Sequence, residues 1–464
     1  MLLKKSLSIT LIACASATSM VNANSLNIDK IDKSQGALLP YTVLRSDLKD
    51  NAKAEGMLEI RNGGFGSDMT AHPTNKNQFY ALTDRGPNAG YNIGELGKGK
   101  MFPTPEYTPR IGLFEVGETG KINLLKNILL KRPDGSPISG LPNSSALGGT
   151  GETPYNHLGQ PIVEDMAQGY DANTNPIKLD DFGLDGEGLV AMNDGTFWVS
   201  DEYGPHMVHF DSQGKEIGRI NAFAHDKRTQ VNLPAEFANR RANRGMEGLA
   251  ITPDQKTLVG IMQSTMYNPS SAVKNLNLVR IVTVDLQTNE VSQYLYQQEK
   301  NQNSNSGIAS LSDSEFLVIE RDGKFLRDDK KAMKHIYRID MSKATNIESI
   351  EAKGALTQDA KLGLLINGET LEQAVLNHGW QILEENNIKP VSKSLVVDLV
   401  KTVNYPHDKL EGMWIISPTQ FAVVNDDDFA TWSSKGKLEQ KYLDKAQTEI
   451  DGSRLYIIDD VKLD

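Results

Sequence analysis

DGEGLVAMNDGTFWVSDEYGP, residues 185–205, is the stretch on which the fold prediction depends. An acidic residue and glycines lead into an apolar run, Asn193-Asp194-Gly195 marks a tight turn, and a second apolar run ends in Asp201 and Glu202. Two apolar runs joined by a short turn of this composition are typical of an antiparallel β-hairpin. The stretch therefore predicts two neighbouring strands with acidic residues after the second.

The same unit recurs four more times along the chain. With Gly188 as the reference position, the equivalent residues are Met69, Gly248, Gly307 and Gly412, at spacings of 119, 60, 59 and 105 residues. Two further strand-like runs follow each pair, and four antiparallel strands per repeat are typical of a propeller blade. We predict an all-β fold, a β-propeller of five or six four-stranded blades, in which residues 37–61 or 394–403 would complete a sixth blade.

The longer spacings indicate two insertions within one domain, residues 24–464. The first insertion covers about 132–181 and is rich in Gly, Pro, Asn and Ser, and the second covers about 357–390. The second contains the capping-box pattern Thr370-Leu371-Glu372-Gln373, which predicts a helix. Both insertions are compatible with packing on the propeller rim or with a lid over its mouth.

The N-terminal residues predict export. Lys4 and Lys5 precede an apolar run over 7–17, and Val21-Asn22-Ala23 suits signal-peptidase cleavage, so residues 1–23 are predicted to be a signal peptide. The alternative is a lipoprotein anchored to the outer membrane through Cys14, which is the chain's one cysteine. The mature chain is then predicted to be periplasmic or secreted and to hold its fold without disulfides.

Charge and hydropathy exclude several classes of protein. Lys and Arg total 49 against 60 Asp and Glu, a formal net charge of −11, which argues against a non-specific nucleic-acid binder. After the leader, no run approaches the roughly 20 apolar residues of a transmembrane helix. The sequence does not indicate an oligomeric state.

The repeat places acidic residues at one end of every blade, because a strand's start and its antiparallel neighbour's end lie together. From these acids the sequence predicts a metal-binding ring, with the ligands Asp84, Glu187, Asp201, Glu202, Glu247, Glu320, Glu411 and Asp426 as candidates. Hard oxygen ligands favour calcium, with magnesium or manganese possible. The structural alternative is that each acid caps its own turn or pairs with a nearby arginine.

Three arginines stand among these acids and extend the prediction to chemistry. Arg85 follows Asp84, Arg321 follows Glu320, and Arg244 precedes Glu247. Carboxylates for a metal and guanidinium groups for an oxyanion are the components of a phosphoester site. The predicted catalytic residues are Glu187, Glu247, Asp201, Glu202, Arg85 and Arg321, and the predicted substrate is a small phosphoester.

Several ordered motifs resemble those of the bacterial phytase-like family, which carries the description esterase-like activity. They are Asp84-Arg85-Gly86-Pro87, Asp185-Gly186-Glu187-Gly188-Leu189, Ser200-Asp201-Glu202-Tyr203-Gly204-Pro205, Met246-Glu247-Gly248-Leu249, Glu320-Arg321-Asp322 and Leu410-Glu411-Gly412-Met413. The resemblance implies a propeller whose acids carry phosphoesterase chemistry. The chain departs from the repeat at Gln263 and Ser306, where acids are expected. A propeller lactonase or sugar-ester hydrolase and a non-catalytic periplasmic binding propeller remain alternatives.

Overall fold

The computed structural model of the chain describes residues 26–463, so the predicted signal peptide, the cleavage site after Ala23 and Cys14 lie outside the described residues. Within that range five separate antiparallel sheets of four strands each are arranged as blades, one of them extended by a fifth, parallel strand. The predicted all-β propeller is confirmed.

Each blade has an innermost strand followed outward by its hydrogen-bonded neighbours. Blade 1 is Asp68–Ala71, Gln78–Leu82, Arg110–Val116 and Ile122–Leu129. Blade 2 is Gly186–Ala191, Phe197–Asp201, His206–Phe210, Glu216–Asn221 and Thr229–Asn232. Blade 3 is Met246–Ile251, Thr257–Met262, Leu278–Asp285 and Val291–Gln297. Blade 4 is Ser304–Ser310, Glu315–Arg321, Lys334–Asp340 and Ser392–Asp398. Blade 5 is Gly412–Ser417, Gln420–Val424, Arg454–Ile458 and Ala37–Leu38.

The two segments considered for a sixth blade belong to existing blades. Ala37–Leu38 pairs with Arg454–Ile458 and supplies the outermost strand of blade 5. Ser392–Asp398 pairs with Lys334–Asp340 and supplies the outermost strand of blade 4. The described chain therefore has five blades, and its N-terminal strand completes the last one.

The innermost strands contact one another in the cyclic order of the blades, and blade 5 returns to blade 1. The glycine of the repeat permits this approach. A Cβ atom on Gly188 would lie 2.6 Å from the backbone nitrogen of Leu249 in the next blade, and one on Gly412 would lie 2.8 Å from that of Met69. The recurring Gly is thus explained by backbone contact between adjacent blades.

Apolar side chains fill the space between blades, as expected for sheets that are buried on both faces. One cluster joins blades 2, 3 and 4, and others lie between blades 4 and 5, 5 and 1, and 1 and 2. Phe79 of blade 1, for example, stacks on Trp414 of blade 5 with ring centroids 5.5 Å apart. Burial of these faces is the main source of the propeller's stability.

Segments outside the blades form small sheets and short helices. The small sheets are Ala89–Gly94 with Gly97–Met101 and Thr153–Tyr155, Val43–Arg45 with Ile60–Arg61, Leu356–Asp359 with Gly363–Ile366 and Glu369–Thr370, and Thr431–Ser434 with Lys437–Gln440. The α-helices are Leu371–His378, Gln381–Glu385 and Leu399–Val403. Short 3-10 helices are Asn27–Lys30, Ser145–Leu147, Ala235–Asn239, Ser271–Val273, Ile347–Ser349 and Asp428–Ala430.

The helix predicted from the capping-box pattern begins at Leu371. The Thr370 side chain accepts a hydrogen bond from the Gln373 backbone, and the Gln373 side chain accepts one from the Thr370 backbone. Glu372 on this helix accepts two hydrogen bonds from the buried guanidinium of Arg280 in blade 3. This ion pair fastens the segment to the outside of the propeller.

In residues 26–463, none of the helices has the length and hydropathy needed to cross a bilayer.

Candidate metal and anion site at the propeller mouth

A polar cavity of about 360 Å³ lies at the end of the propeller where first strands begin and second strands end. Strand register creates this arrangement: Gly186 is opposite Asp201, and Met246 is opposite Met262. Residues of all five blades line the cavity, among them Asp84, Glu187, Glu247, Arg321 and Glu411. The predicted convergence of charged groups at one mouth is therefore present for these side chains.

A local backbone irregularity recurs where the innermost strands enter the cavity. The register shifts by one residue between Gly186 and Gly188 and again between Met246 and Gly248. The extra residue in each case is a glutamate, Glu187 or Glu247. A β-bulge changes the direction of a side chain relative to a regular strand, and bulges are frequent beside active sites. We attribute the inward position of both glutamates to these bulges.

A compact acidic cluster joins blades 1 and 2. Carboxylate oxygens of Asp84, Asp185 and Glu187 all lie within 4.8 Å of one another, and all three residues are buried. Burial, with repulsion from Asp426 and Asp185, raises the pKa of Asp84 well above its ordinary value. Burial, with repulsion from Glu411 and Glu247, likewise raises the pKa of Glu187 well above its ordinary value. A bound cation would relieve this repulsion.

The residues present fit a hard divalent cation. Asp185 Oδ2 accepts no hydrogen bond from any described residue, although it is buried and 3.3 Å from Arg85 Nε. Glu247 Oε2 and Glu411 Oε2 are likewise buried without a hydrogen-bond donor in residues 26–463. Buried carboxylate oxygens that lack a hydrogen-bond donor suit calcium, magnesium or manganese better than zinc.

Gln263 occupies the position where the repeat would place an acid, and it bridges two carboxylates. Its Nε2 atom donates to Glu202 Oε1 at 2.6 Å and to Glu247 Oε1 at 2.7 Å. Burial, with repulsion from Glu247 and Asp185, raises the pKa of Glu202. An amide at this position holds the two glutamates together without adding a further negative charge.

Five cationic side chains line the same cavity as eight carboxylates, a formal excess of three negative charges when all are ionised. The cations are Arg85, Lys100, Arg244, Arg321 and Lys409, and the carboxylates are Asp84, Asp185, Glu187, Glu202, Glu247, Asp408, Glu411 and Asp428. Lys409 lies 2.5 Å from Asp426 and 2.7 Å from Asp428. Although burial alone would lower the pKa of Lys409, these carboxylates raise it well above its ordinary value. The cavity thus offers both cation ligands and anion-binding groups.

Comparison with known proteins places the chain in a family. Residues 60–429, about four-fifths of the chain, match the family model of phytase-like proteins, described as esterase-like activity of phytase. The chain belongs to the phytase-like family. The resemblance found in the motifs is therefore confirmed over residues 60–429.

One relative of the phytase-like chain is an uncharacterized secreted protein of Arthroderma benhamiae. It is 31% identical over 174 residues, and the match covers 33% of this chain and 33% of that protein. The phytase-like chain thus spans about a third of the length of this relative.

Solved structures with similar architecture are more distant. The aldose sugar dehydrogenase of Streptomyces coelicolor matches with 9% identity and a TM-score of 0.31, covering 90% of this chain and 98% of that one. The periplasmic gluconolactonase of Pseudomonas aeruginosa gives 9% identity and a TM-score of 0.29, covering 90% and 99%. A calcium-binding regucalcin of Agrobacterium tumefaciens matches with 11% identity and a TM-score of 0.29. The match covers 82% of this chain and 93% of that one.

Seven of the sequence-predicted site residues of the phytase-like chain line one cavity. They are Asp84, Arg85, Glu187, Glu202, Glu247, Arg321 and Glu411. Arg321 donates from Nε to Ser306 Oγ at 3.1 Å and forms an ion pair with Glu411 through Nη2. Arg85 Nη1 lies 3.3 Å from Glu152, which belongs to the first predicted insertion. That segment therefore contacts the site directly.

Two predicted site residues lie behind the cavity wall. Asp201 Oδ1 accepts hydrogen bonds from the backbone nitrogens of Asp185 and Tyr203, and burial raises its pKa to about 7. Asp426 is engaged by Lys409. Asp201 and Asp426 support cavity residues and do not line the cavity.

Glu320 lies farther from the cavity, although it adjoins Arg321 in sequence. It accepts hydrogen bonds from Tyr296 Oη at 2.8 Å and from Lys393 Nζ at 2.9 Å, between blades 3 and 4. Successive side chains of a strand point to opposite faces, so Glu320 points away when Arg321 points inward.

Sequence reasoning did not select Asp185, Lys409, Asp428 or Lys100. Asp185 stands two residues before Glu187, a spacing that could have identified it as a second acid of the same strand start. Lys409 stands two residues before Glu411, and Asp428 stands two residues after Asp426. Lys100 comes from the strand Gly97–Met101, outside any repeat, and its sequence context carries no corresponding signal.

Proposed function

We propose that the chain is an exported, metal-assisted hydrolase of phosphate esters that acts in the cavity at the propeller mouth. The observation that carries the proposal is the cluster of Asp84, Asp185 and Glu187 within 4.8 Å, in a cavity that also contains five cationic side chains. Oxygen ligands for a cation and guanidinium groups for a phosphoryl group are thereby close together.

The proposed roles follow from the contacts of each side chain. Asp84, Asp185 and Glu187 would hold the divalent cation, which supplies Lewis acidity and lowers the pKa of bound water. Arg85 and Arg321 would bind the phosphoryl oxygens, since a planar guanidinium matches this geometry.

Glu247 is the proposed general base. Its buried Oε2 atom has no hydrogen-bond donor in the described structure and is available to accept a proton from the attacking water. Burial raises the pKa of Glu247 against the opposing effect of Arg321, and a raised carboxylate pKa favours proton transfer near neutrality.

Membership of the phytase-like family supports a hydrolase, and the five cationic side chains that line the cavity offer binding groups for an anionic substrate. A neutral lactone or sugar ester, the leading alternative, would leave most of the five cationic groups without a substrate contact. In a non-catalytic binding propeller the same acids would have purely structural roles.

The name of the fungal relative and the N-terminal sequence both support export. We propose cleavage after Ala23 and a single mature domain over residues 24–464. A secreted relative favours this form over a lipid-anchored form through Cys14. The segments 132–181 and 357–390 would be insertions of that domain.

The test compares metal content and turnover of the purified mature protein. Glu187→Gln and Glu247→Gln each keep side-chain size and remove a charge, so each should reduce hydrolysis of a phosphomonoester by about 100-fold or more. Glu187→Gln and Asp185→Asn should also reduce bound calcium. Glu290→Gln, at an exposed position, is the matched control and should change neither quantity.

A substrate panel separates the alternatives. Chelation should abolish phosphoester hydrolysis, and calcium, magnesium or manganese should restore it. Full activity in both glutamine variants would contradict the proposal. Turnover of lactones with no turnover of phosphoesters would favour the lactonase alternative, and inactivity on both panels would favour a binding protein.

A further inference from the structure

Trp432 is a large aromatic side chain that remains exposed beside the charged cavity. It lies on the hairpin Thr431–Ser434 and Lys437–Gln440, whose turn residues Lys435 and Gly436 have φ of 52° and 75°. Positive φ at both central residues is typical of a tight two-residue turn. Trp432 is 42% exposed, while its strand neighbour Thr431 is buried.

Trp432 forms part of two adjoining concavities. One is the cavity with Lys409 and Asp428, and the other is a cleft of about 210 Å³ that Phe325 and Tyr442 also line. The Trp432 side chain therefore stands at the boundary between the proposed phosphoryl site and a second space of small-molecule size.

Neighbouring side chains support the indole from the side. The Phe325 ring packs against it edge to face, with centroids 6.4 Å apart and planes inclined at 63°. Lys441 Nζ lies 5.9 Å from the Trp432 ring centroid. An aromatic ring that is braced in this way and partly exposed is suited to stacking on a flat ligand.

We infer that Trp432 forms a subsite for a ring in the alcohol portion of the substrate, so that esters of ring-bearing alcohols are preferred. This inference rests on the proposed function, since it assumes that the phosphoryl group occupies the neighbouring cavity. A ring attached close to phosphorus would reach Trp432 because that side chain lines both spaces. Stacking on an aromatic side chain contributes about 1–3 kcal/mol, or roughly five- to 150-fold in affinity.

The experiment measures binding of phenylphosphonate and methylphosphonate to the calcium-loaded mature protein by calorimetry. Both probes carry a phosphoryl group that resists hydrolysis, and they differ in the ring. We expect phenylphosphonate to bind the unchanged protein about tenfold more tightly. Trp432→Ala should abolish this preference without weakening methylphosphonate, and Trp432→Phe should retain most of it. Leu376→Ala, at an exposed helix position, is the control.

The outcomes separate this inference from the function on which it rests. A phenyl preference that persists in Trp432→Ala, or equal binding of the two probes to the unchanged protein, would overturn the subsite alone. Failure of both probes to bind the unchanged protein would overturn the subsite together with the proposed phosphoester site.

Discussion

Single charged residues at the propeller mouth are buried with specific partners. Lys441, with a side chain 1% exposed, lies 2.9 Å from Asp408 and 2.6 Å from Asp428. Against the effect of burial, Lys409 and Lys441 hold the pKa of Asp428 well below its usual range. Removing one partner of a buried ion pair costs about 3–5 kcal/mol, because the other charge is left uncompensated. Asp408 and Asp428 line the cavity, and Lys441 holds them from behind its wall.

His206 is a buried ionisable residue that should make stability depend on pH. Burial, together with the positive charges of Arg219, Arg228 and Arg240, holds its pKa well below the ordinary value despite Asp226. The unfolded chain therefore binds a proton near pH 6.5 that the folded chain does not bind. This contribution to stability is complete above pH 6.5 and is lost as the pH falls below it.

The measurement compares urea unfolding at pH 7.5 and pH 5.5. Replacing His206 with leucine should make the loss of unfolding free energy between these pH values smaller by about 1.4 kcal/mol. Leu376→Ala, which changes a non-titrating side chain at an exposed position, is the control and should leave that loss unchanged. An identical loss in His206→Leu and the unchanged protein would contradict the prediction.

At the scale of elements, the start of the innermost strand combines two requirements of the repeat. The bulge directs Glu187 or Glu247 into the cavity, and the glycine that follows lets the strand contact the next blade. In blade 4 the same bulge carries Ser306, which is buried and donates to the backbone oxygen of Leu410. These three blades therefore share the β-bulge, while the side chain at the bulge differs between them.

Replacing Gly188 with a larger residue should push blades 2 and 3 apart. A Cβ on Gly188 would lie 2.3 Å from Ser200 Oγ and 2.6 Å from the Leu249 backbone, so Gly188→Ala should destabilise the protein by about 1–3 kcal/mol. Urea denaturation measures the change. Gly169→Ala is the matched control, since nothing lies within 4 Å of its Cβ position. Equal stability of the two variants would refute the contact argument.

At the scale of the whole molecule, the ring is closed by strands from both ends of the described chain. Ala37–Leu38 pairs with Arg454–Ile458 in blade 5, and the innermost strand of that blade contacts blade 1. The acidic cavity exists only when this ring is closed, because its ligands come from different blades. Cation binding and folding of the propeller should therefore be coupled.

Calcium should raise the melting temperature through this coupling. A cation that binds only the folded ring adds about 2.7 kcal/mol of stability at a concentration one hundred times its dissociation constant. Asp185→Asn should reduce the shift, and Glu290→Gln should retain it. A melting temperature that is the same after chelation and after calcium addition would contradict a cation site in the cavity.

The sequence alone determined the repeating strand pair, the blade architecture and the end at which acids gather. These features follow from local pattern: alternating apolar runs, turn residues, and the antiparallel register that places Glu187 beside Asp201 and Glu202. The same pattern identified seven of the residues that line the cavity. It could not distinguish Glu320 from Arg321, because the direction of each side chain depends on the face that the neighbouring blade buries.

Tertiary structure alone decided which charged groups meet. Asp84 and Asp185 are about one hundred residues apart, and their contact depends on how blades 1 and 2 pack. Lys100 and Trp432 come from segments outside the repeat, so no periodicity marks them. The number of blades also became clear only from the tertiary structure, since Ala37–Leu38 pairs with a strand more than 400 residues away. The local sequence pattern determines the strands, whereas the packing of the blades into a closed ring determines which residues form the site.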